Sequence, residues 1–261
     1  MPRWFANRPA ALLLPVLLTI PLHSQREGSP QRAAFTVPER ESLTYQVEWR
    51  LIQAGTAKLD WERIGNPASP LYQLRMHLES VGLVSRLFKI DDLYTSQLAG
   101  RFCAVRSTLS LQEGSRYRET KVTFDGTRRK ASAIERDVKK NAVVGMNEVD
   151  IPACVHDVLG ALYLLRTMRL EVGQQAQVPV SDGKKTAMAR AEAQAREDVK
   201  TPAGTFHTVR YEAFVFNDVL YRRNARVFVW LTDDAQRLPV QIRVRMQIHI
   251  GTITLVLEKK G

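Results

Sequence analysis

Leu43-Thr44-Tyr45-Gln46-Val47-Glu48-Trp49-Arg50-Leu51 alternates apolar and polar side chains without a break. Side chains along an extended strand point to opposite faces in turn, so this stretch has one dry face and one wet face. Ala54-Gly55 turns the chain, and Ala57, Leu59 and Trp61 carry the alternation back. Asn66-Pro67 and Ser69-Pro70 break it, and Tyr72, Leu74, Met76 and Leu78 resume it. Further strand-like runs span about 90–98, 103–112, 116–125 and 129–137, with a helical turn between Val81 and Phe88. Later runs follow at about 205–216, 225–232, 238–248 and 251–258. Thr186 to Val199 is rich in alanine, which favours helix. Its alanines nevertheless fall at every second position from Ala187 to Ala195, and it reads as a strand. That makes about a dozen strands.

Asp157 to Leu170 (DVLGALYLLRTMRL) breaks the pattern and predicts a long helix. Asp157 suits the N-cap, Arg166 and Arg169 complement the C-terminal dipole, and Gly173 ends the segment. Val158, Leu159, Leu162, Leu164 and Leu165 make it apolar nearly all round, so it should be buried. Burying those five side chains is worth roughly 8–15 kcal/mol at 1.5–3 each. Such a helix needs walls on several sides, and a curved sheet supplies them. The expected fold is mainly β: a curved antiparallel sheet or open β-barrel with one long buried helix (about 157–170) against it.

The 261 residues are 44% hydrophobic and 25% charged, a globular composition with a net charge of +11. Met1 to Ser24 reads as a signal peptide: Arg3 and Arg8 form the positive region and Ala10 to Leu22 the apolar run. Pro15 and Pro21 interrupt that run, which is shorter than the about 20 residues of a membrane span. Residues 25–37 read as a flexible leader and 38–261 as a single β-rich domain. Removing residues 1–24 takes two arginines and no acids, which leaves +9. The expected location is the periplasm or extracytoplasmic envelope, with no transmembrane span in the mature chain.

Export makes Cys103 and Cys154, 51 positions apart, a candidate disulfide, with two buried thiols as the alternative. The sequence contains no nucleophile elbow, phosphate-binding loop, zinc-helix motif or dinucleotide fingerprint. His156-Asp157 is simpler as a helix start than as a metal site. Asp91-Asp92 reads as a strand end that could set one carboxylate against a basic side chain, and Asp233-Asp234 as a hairpin turn. Neither dipeptide is a catalytic acid pair, because neighbours on a strand face opposite ways. The chain is thus expected to be non-enzymatic, with no catalytic residue, metal or cofactor.

Basic residues recur as Arg116, Arg118 and Lys121, as Arg128, Arg129 and Lys130, and as Arg222, Arg223, Arg226, Arg243 and Arg245, and alternation with apolar residues in the last five predicts a basic outer face. It is either a solvated surface or one drawn to anionic envelope material. Nucleic acid is set aside, because export separates the chain from it and no recognition motif occurs. Trp49, Trp61, Tyr163 and Trp230 are the candidate residues to line a concave apolar cavity, with ordinary core packing as the alternative.

Four segments carry a family resemblance. They are ESLTYQVEWRLIQAGTAKLDW (41–61), IPACVHDVLGALYLLRTMRLEVG (151–173), TPAGTFHTVRYE (201–212) and VWLTDDAQRLPVQIRV (229–244). In this order, from about Pro38 to Lys259, the chain resembles the exported bacterial domain-of-unknown-function family 3108. The resemblance implies an envelope location and a curved antiparallel sheet or open barrel with a helix against its concave side. That outline is similar to the lipoprotein-localisation carriers of the periplasm, by analogy of shape. Two functions are expected from it. One is a carrier that binds a lipid, acyl chain or lipoprotein segment in a concave β cavity. The alternative is a structural or assembly protein of the envelope, with a packed interior, that docks through its sheet edges and basic loops.

Overall fold

The computed structural model describes residues 35–36, 38–50, 52–66, 68–246 and 251–261. The signal peptide read at 1–24 and the leader at 25–37, except Phe35 and Thr36, lie outside the described residues, as do Leu51, Pro67 and His249. In chain order come β1 (Arg40–Trp49), β2 (Ile52–Asn66), β3 (Ser69–Ser80), the short helix α1 (Gly82–Leu87), β4 (Asp91–Ala99) and β5 (Cys103–Glu113). Next are β6 (Arg116–Asp125), β7 (Lys130–Asp137), β8 (Ala142–Asp150) and the helix α2 (Val158–Thr167). The remaining strands are β9 (Gln175–Ser181), β10 (Thr186–Thr201), β11 (Gly204–Phe214), β12 (Ala225–Thr232), β13 (Pro239–Met246) and β14 (Thr252–Lys260).

All fourteen strands belong to one antiparallel sheet, in the order β8-β7-β6-β5-β4-β3-β2-β1-β14-β13-β12-β11-β10-β9. It consists of two meanders, β1–β8 and β9–β14, joined where Leu43 to Trp49 pair with Lys260 to Ile253. The sheet is not closed, and β8 and β9 are its edges. The alternation seen in the sequence sets its dry face. Leu43, Tyr45 and Val47 stand beside Ala57 and Leu59 on one side and Leu257 and Leu255 on the other, all of them buried. That face is concave and holds α2.

Curvature brings the β9–β10 turn against β6 and β7 without a ladder between them. The turn between β9 and β10 presses on the opposite wall: a methyl on Gly183 would stand 2.5 Å from Cγ1 of Val122. Gly183 also has a φ of +80°, which favours glycine. Beside it, Nζ of Lys184 lies 2.6 Å from Oε2 of Glu135 on β7. Residues 151–157 form a strap between the start of β5 and β9. The Ala104 N–H donates to the Val155 carbonyl (2.8 Å), the His156 N–H to that of Pro179 (3.0 Å), and the Ser181 N–H to that of His156 (2.9 Å).

The helix is shorter than the sequence implies. Among the described residues there are two short helices, and α2 covers ten residues rather than the expected 157–170. Asp157 caps it as expected, its side chain accepting from the Gly160 N–H. The helix stops because Met168 turns extended, and Met168 and Leu170 pack against the cluster of Leu165, Tyr211, Val229 and Leu231. Burial in an extended form outweighs their helical propensity. Val158 is exposed, so the apolar surface is not buried all round.

Candidate functional site

The end of the sheet where β1 begins and β12 turns into β13 is plugged. Arg166, at the last turn of α2, makes a two-pronged pair with Glu41: Nη1 to Oε1 is 2.6 Å and Nη2 to Oε2 is 2.8 Å. Both side chains are almost fully buried, at 1% and 5% exposure. The remaining donors are used too, with Nε on the Arg237 carbonyl and Nη2 on that of Gln236, each at 3.0 Å. The Tyr163 hydroxyl donates to Oε1 of Glu41 at 3.0 Å. Burial works most strongly against the charge on Arg166, but the hydrogen bonds to Glu41 together with the electrostatic pull of Tyr163, Glu41 and Tyr45 hold the guanidinium above its usual pKa. Trp61 lies between Tyr72 and Tyr163, with ring centroids 4.6 and 4.3 Å away, and its indole N–H donates to the Pro38 carbonyl.

The other end is open. A cavity of about 440 Å³ lies between β3–β6 and the start of α2. Met76, Tyr94, Leu109 and Thr120 form one row across its wall, each opposite the next in register. Val158 and Leu159 close it below, and Lys184 and Tyr221 stand at its edge. On the Tyr94 side is a buried polar cluster. Asp157 accepts from the Gly160 N–H at 2.7 Å and from the hydroxyl of Ser96, with the Tyr94 hydroxyl nearby. Burial pushes the Asp157 carboxyl up, against the pull of Ser96 and Gly160. It also pushes the hydroxyls of Tyr94 and Tyr221 up, so both act as neutral groups.

The neighbouring His156 does not complete a relay. Its Nδ1–H donates to the Phe102 carbonyl at 2.7 Å, and burial holds the ring below its usual pKa. Ser96 faces Asp157 and not His156, so the three residues lack the serine–base contact that nucleophilic catalysis needs. The cluster caps α2 and anchors it to β4.

The raised carboxyl gives a pH signature. Folded protein takes up the Asp157 proton before the unfolded chain does, so stability falls as pH rises through that window. Asp157→Asn keeps the cap and removes the cost of a buried charge. The expected result is a variant at least as stable as the wild type at pH 7, whose advantage disappears as the pH is lowered. Urea unfolding across that range checks it, and parallel curves for the two proteins would refute it.

Of the four aromatic residues singled out in the sequence, three belong to one buried apolar cluster and none lines this cavity. Trp61 and Tyr163 sit in the plug, while Trp49 is half-buried beneath Arg50. Trp230 is buried on the outer face under Arg243, 5.0 Å from its guanidinium, and donates to Glu197. The cavity wall consists instead of Met76, Tyr94, Leu109 and Thr120. Their shared parity in the alternation was the available signal, but it does not show where α2 stops filling the concavity. Some of the basic residues are paired, Lys121 with Glu119 and Arg226 with Glu212, whereas Arg118 lies on the cavity face of β6 with Thr120 and pairs with Asp137. Asp91 meets His77 at 2.8 Å, and Asp234 accepts the N–H groups of Gln236 and Arg237 in its turn. Cys103 and Cys154 are bridged, which ties the strap to the start of β5.

A family model described as "Protein of unknown function (DUF3108)" matches residues 44–258, from within β1 to within β14. The chain belongs to the DUF3108 family. A comparison with curated proteins gave no match. Among solved structures, this DUF3108 chain is similar to a β-barrel-like protein of family DUF1849 from Brucella abortus. That similarity has 9% identity and a TM-score of 0.50, and covers 85% of this chain and 96% of that one. It is also similar to a candidate exported protein with a YmcC-like fold from Bacteroides fragilis, at 9% identity and a TM-score of 0.33, over 88% and 99% of the two chains. A candidate lipoprotein from Parabacteroides distasonis matches at 9% identity and a TM-score of 0.32, over 87% and 97%. At these identities the first similarity concerns the fold.

Proposed function

We propose that this DUF3108 chain is a non-enzymatic, extracytoplasmic carrier that holds an acyl chain or lipid in the cavity between β3–β6 and α2. The cavity carries this reading: about 440 Å³, mostly apolar walls, and a few convergent polar groups. Ligand sites of this kind typically span about 300–1,000 Å³. The signal-peptide reading of residues 1–24 and the bridged cysteines support the compartment. In this reading the chain of the ligand lies along Met76, Leu109 and Val122, and its polar end meets Lys184 and the hydroxyl of Tyr221.

Displacement of a fluorescent fatty-acid probe tests the proposal. Thr120→Phe projects a ring into the cavity from a wall strand. It is expected to weaken probe binding about tenfold while leaving the unfolding curve within about 1 kcal/mol, as a cavity-filling change should. Wild-type protein that binds no probe and carries no lipid on isolation from its own envelope would sink the proposal. A second reading, an assembly module, has its own support in β8. That edge strand exposes Val143, Val144 and Met146, and an unpaired edge can accept another strand. Under that reading Thr120→Phe changes nothing, and charges placed on β8 abolish assembly.

A further inference from the structure

Alternate connections of an antiparallel meander share an end, so the open end of the cavity has a definable rim. It comprises the connections β1–β2, β3–β4, β5–β6, β7–β8, β9–β10, β11–β12 and β13–β14. Lys184 and Tyr221, at the cavity edge, belong to two of them. Helix α1 is the β3–β4 connection, and none of its residues is buried. Leu83 and Leu87 share one face of α1 at 67% and 78% exposure, and Phe88, directly after it, is 50% exposed. Ile52, on the strand that packs against α1, is 52% exposed. An apolar knob of this kind is unusual on a solvated surface.

The connections around the knob carry more cations than acids, while Glu79, Asp91, Asp92 and Glu113 lie at the strand ends that adjoin it. Arg86 and Lys89 flank it, Lys139 and Lys140 occupy the β7–β8 turn, Lys184 and Lys185 the β9–β10 turn, and Arg222 and Arg223 the β11–β12 loop. The acids in those same connections are Asp182 and Asp218. At the opposite end, the strand-to-strand turns carry Arg101, Arg128, Arg129 and Arg237 against Asp233 and Asp234. Within the connections alone, the cationic excess is therefore larger at the end that has the apolar knob and the cavity mouth.

We propose that this end docks on the surface of an anionic phospholipid bilayer. Leu83, Leu87 and Phe88 enter the head-group boundary, and the rim cations meet the lipid phosphates. Exposed leucines and an aromatic ring ringed by Lys and Arg are the chemistry of interfacial membrane binding. The inference rests on the carrier reading for its purpose, since it sets the cavity mouth against the membrane from which a lipid would be drawn.

The test is co-sedimentation of the exported protein with vesicles of phosphatidylglycerol and phosphatidylcholine in equal parts. The expected result is binding at least about tenfold stronger than to pure phosphatidylcholine, and lost at high salt. Leu83→Ser with Leu87→Ser alters only exposed positions, and should weaken vesicle binding by about tenfold or more. Probe binding in vesicle-free buffer should survive that change. Absent vesicle binding, equal binding by the double variant, or knob-dependent association of the chain with itself would each overturn the docking. Vesicle binding without probe binding would overturn the carrier reading and leave the docking standing.

Discussion

Arg166→Met is expected to lower the unfolding free energy by about 3–5 kcal/mol, the usual cost of removing one partner from a buried ion pair. The loss is large because of what remains. Glu41 keeps a buried carboxylate whose main partner is gone, with only the Tyr163 hydroxyl still donating to it. The carbonyls of Gln236 and Arg237 lose their donors as well. Arg166→Lys should recover little, since an ammonium cannot reproduce the two-pronged contact while also reaching two carbonyls. Glu41→Gln combined with Arg166→Met should be milder than the sum of the single changes, because no unpaired charge stays buried. Urea unfolding at neutral pH reads all three variants. A cost below about 1 kcal/mol for Arg166→Met would show that water reaches the plug.

Removing the Cys103–Cys154 bridge should cost about 4 kcal/mol, by the chain-entropy relation for a loop of 51 residues. Its position adds a structural prediction. Cys154 lies in the strap that hydrogen-bonds β5 on one side and β9 on the other. In the paired variant Cys103→Ser with Cys154→Ser, hydrogen exchange should therefore quicken first at Ala104, His156 and Ser181, ahead of the centre of the sheet. Reduction of the wild type should reproduce the same shift. Coincident unfolding curves for oxidised and reduced protein would exclude a stabilising role for the bridge.

Period-two alternation made most strands legible, because each has one wet and one dry face. The two strands it did not reveal, β8 and β9, are the two edges. β8 is exposed along most of its length on both faces, so Ala142 to Asp150 carries little alternation. β9 contains Pro179, a strand breaker that an edge tolerates because it need not donate to a ladder. The helix start was legible because Asp157 caps locally. The helix end was not, because Met168 and Leu170 are drawn into extended form by Tyr211 and Val229, distant in sequence. Arg166 illustrates the same limit. At the end of a helix it suits the dipole, and only the approach of Glu41, 125 positions away, makes it the centre of a plug. The cavity depends on where α2 stops, so its wall residues had the right parity without a signal to set them apart.

The pairing of β1 with β14 has a consequence for the birth of the molecule. Leu43 pairs early with Leu59 but finds its second neighbour only when Lys260 has been made, yet this junction lies inside the sheet rather than at its margin. Each meander can form hairpins as it emerges, since neighbours in sequence are neighbours in space. The join between them must wait for the final strand. A ribosome or translocation channel that still holds β14 therefore holds a chain with both flanks of its middle unpaired. The junction between the two meanders closes last, once β14 is free.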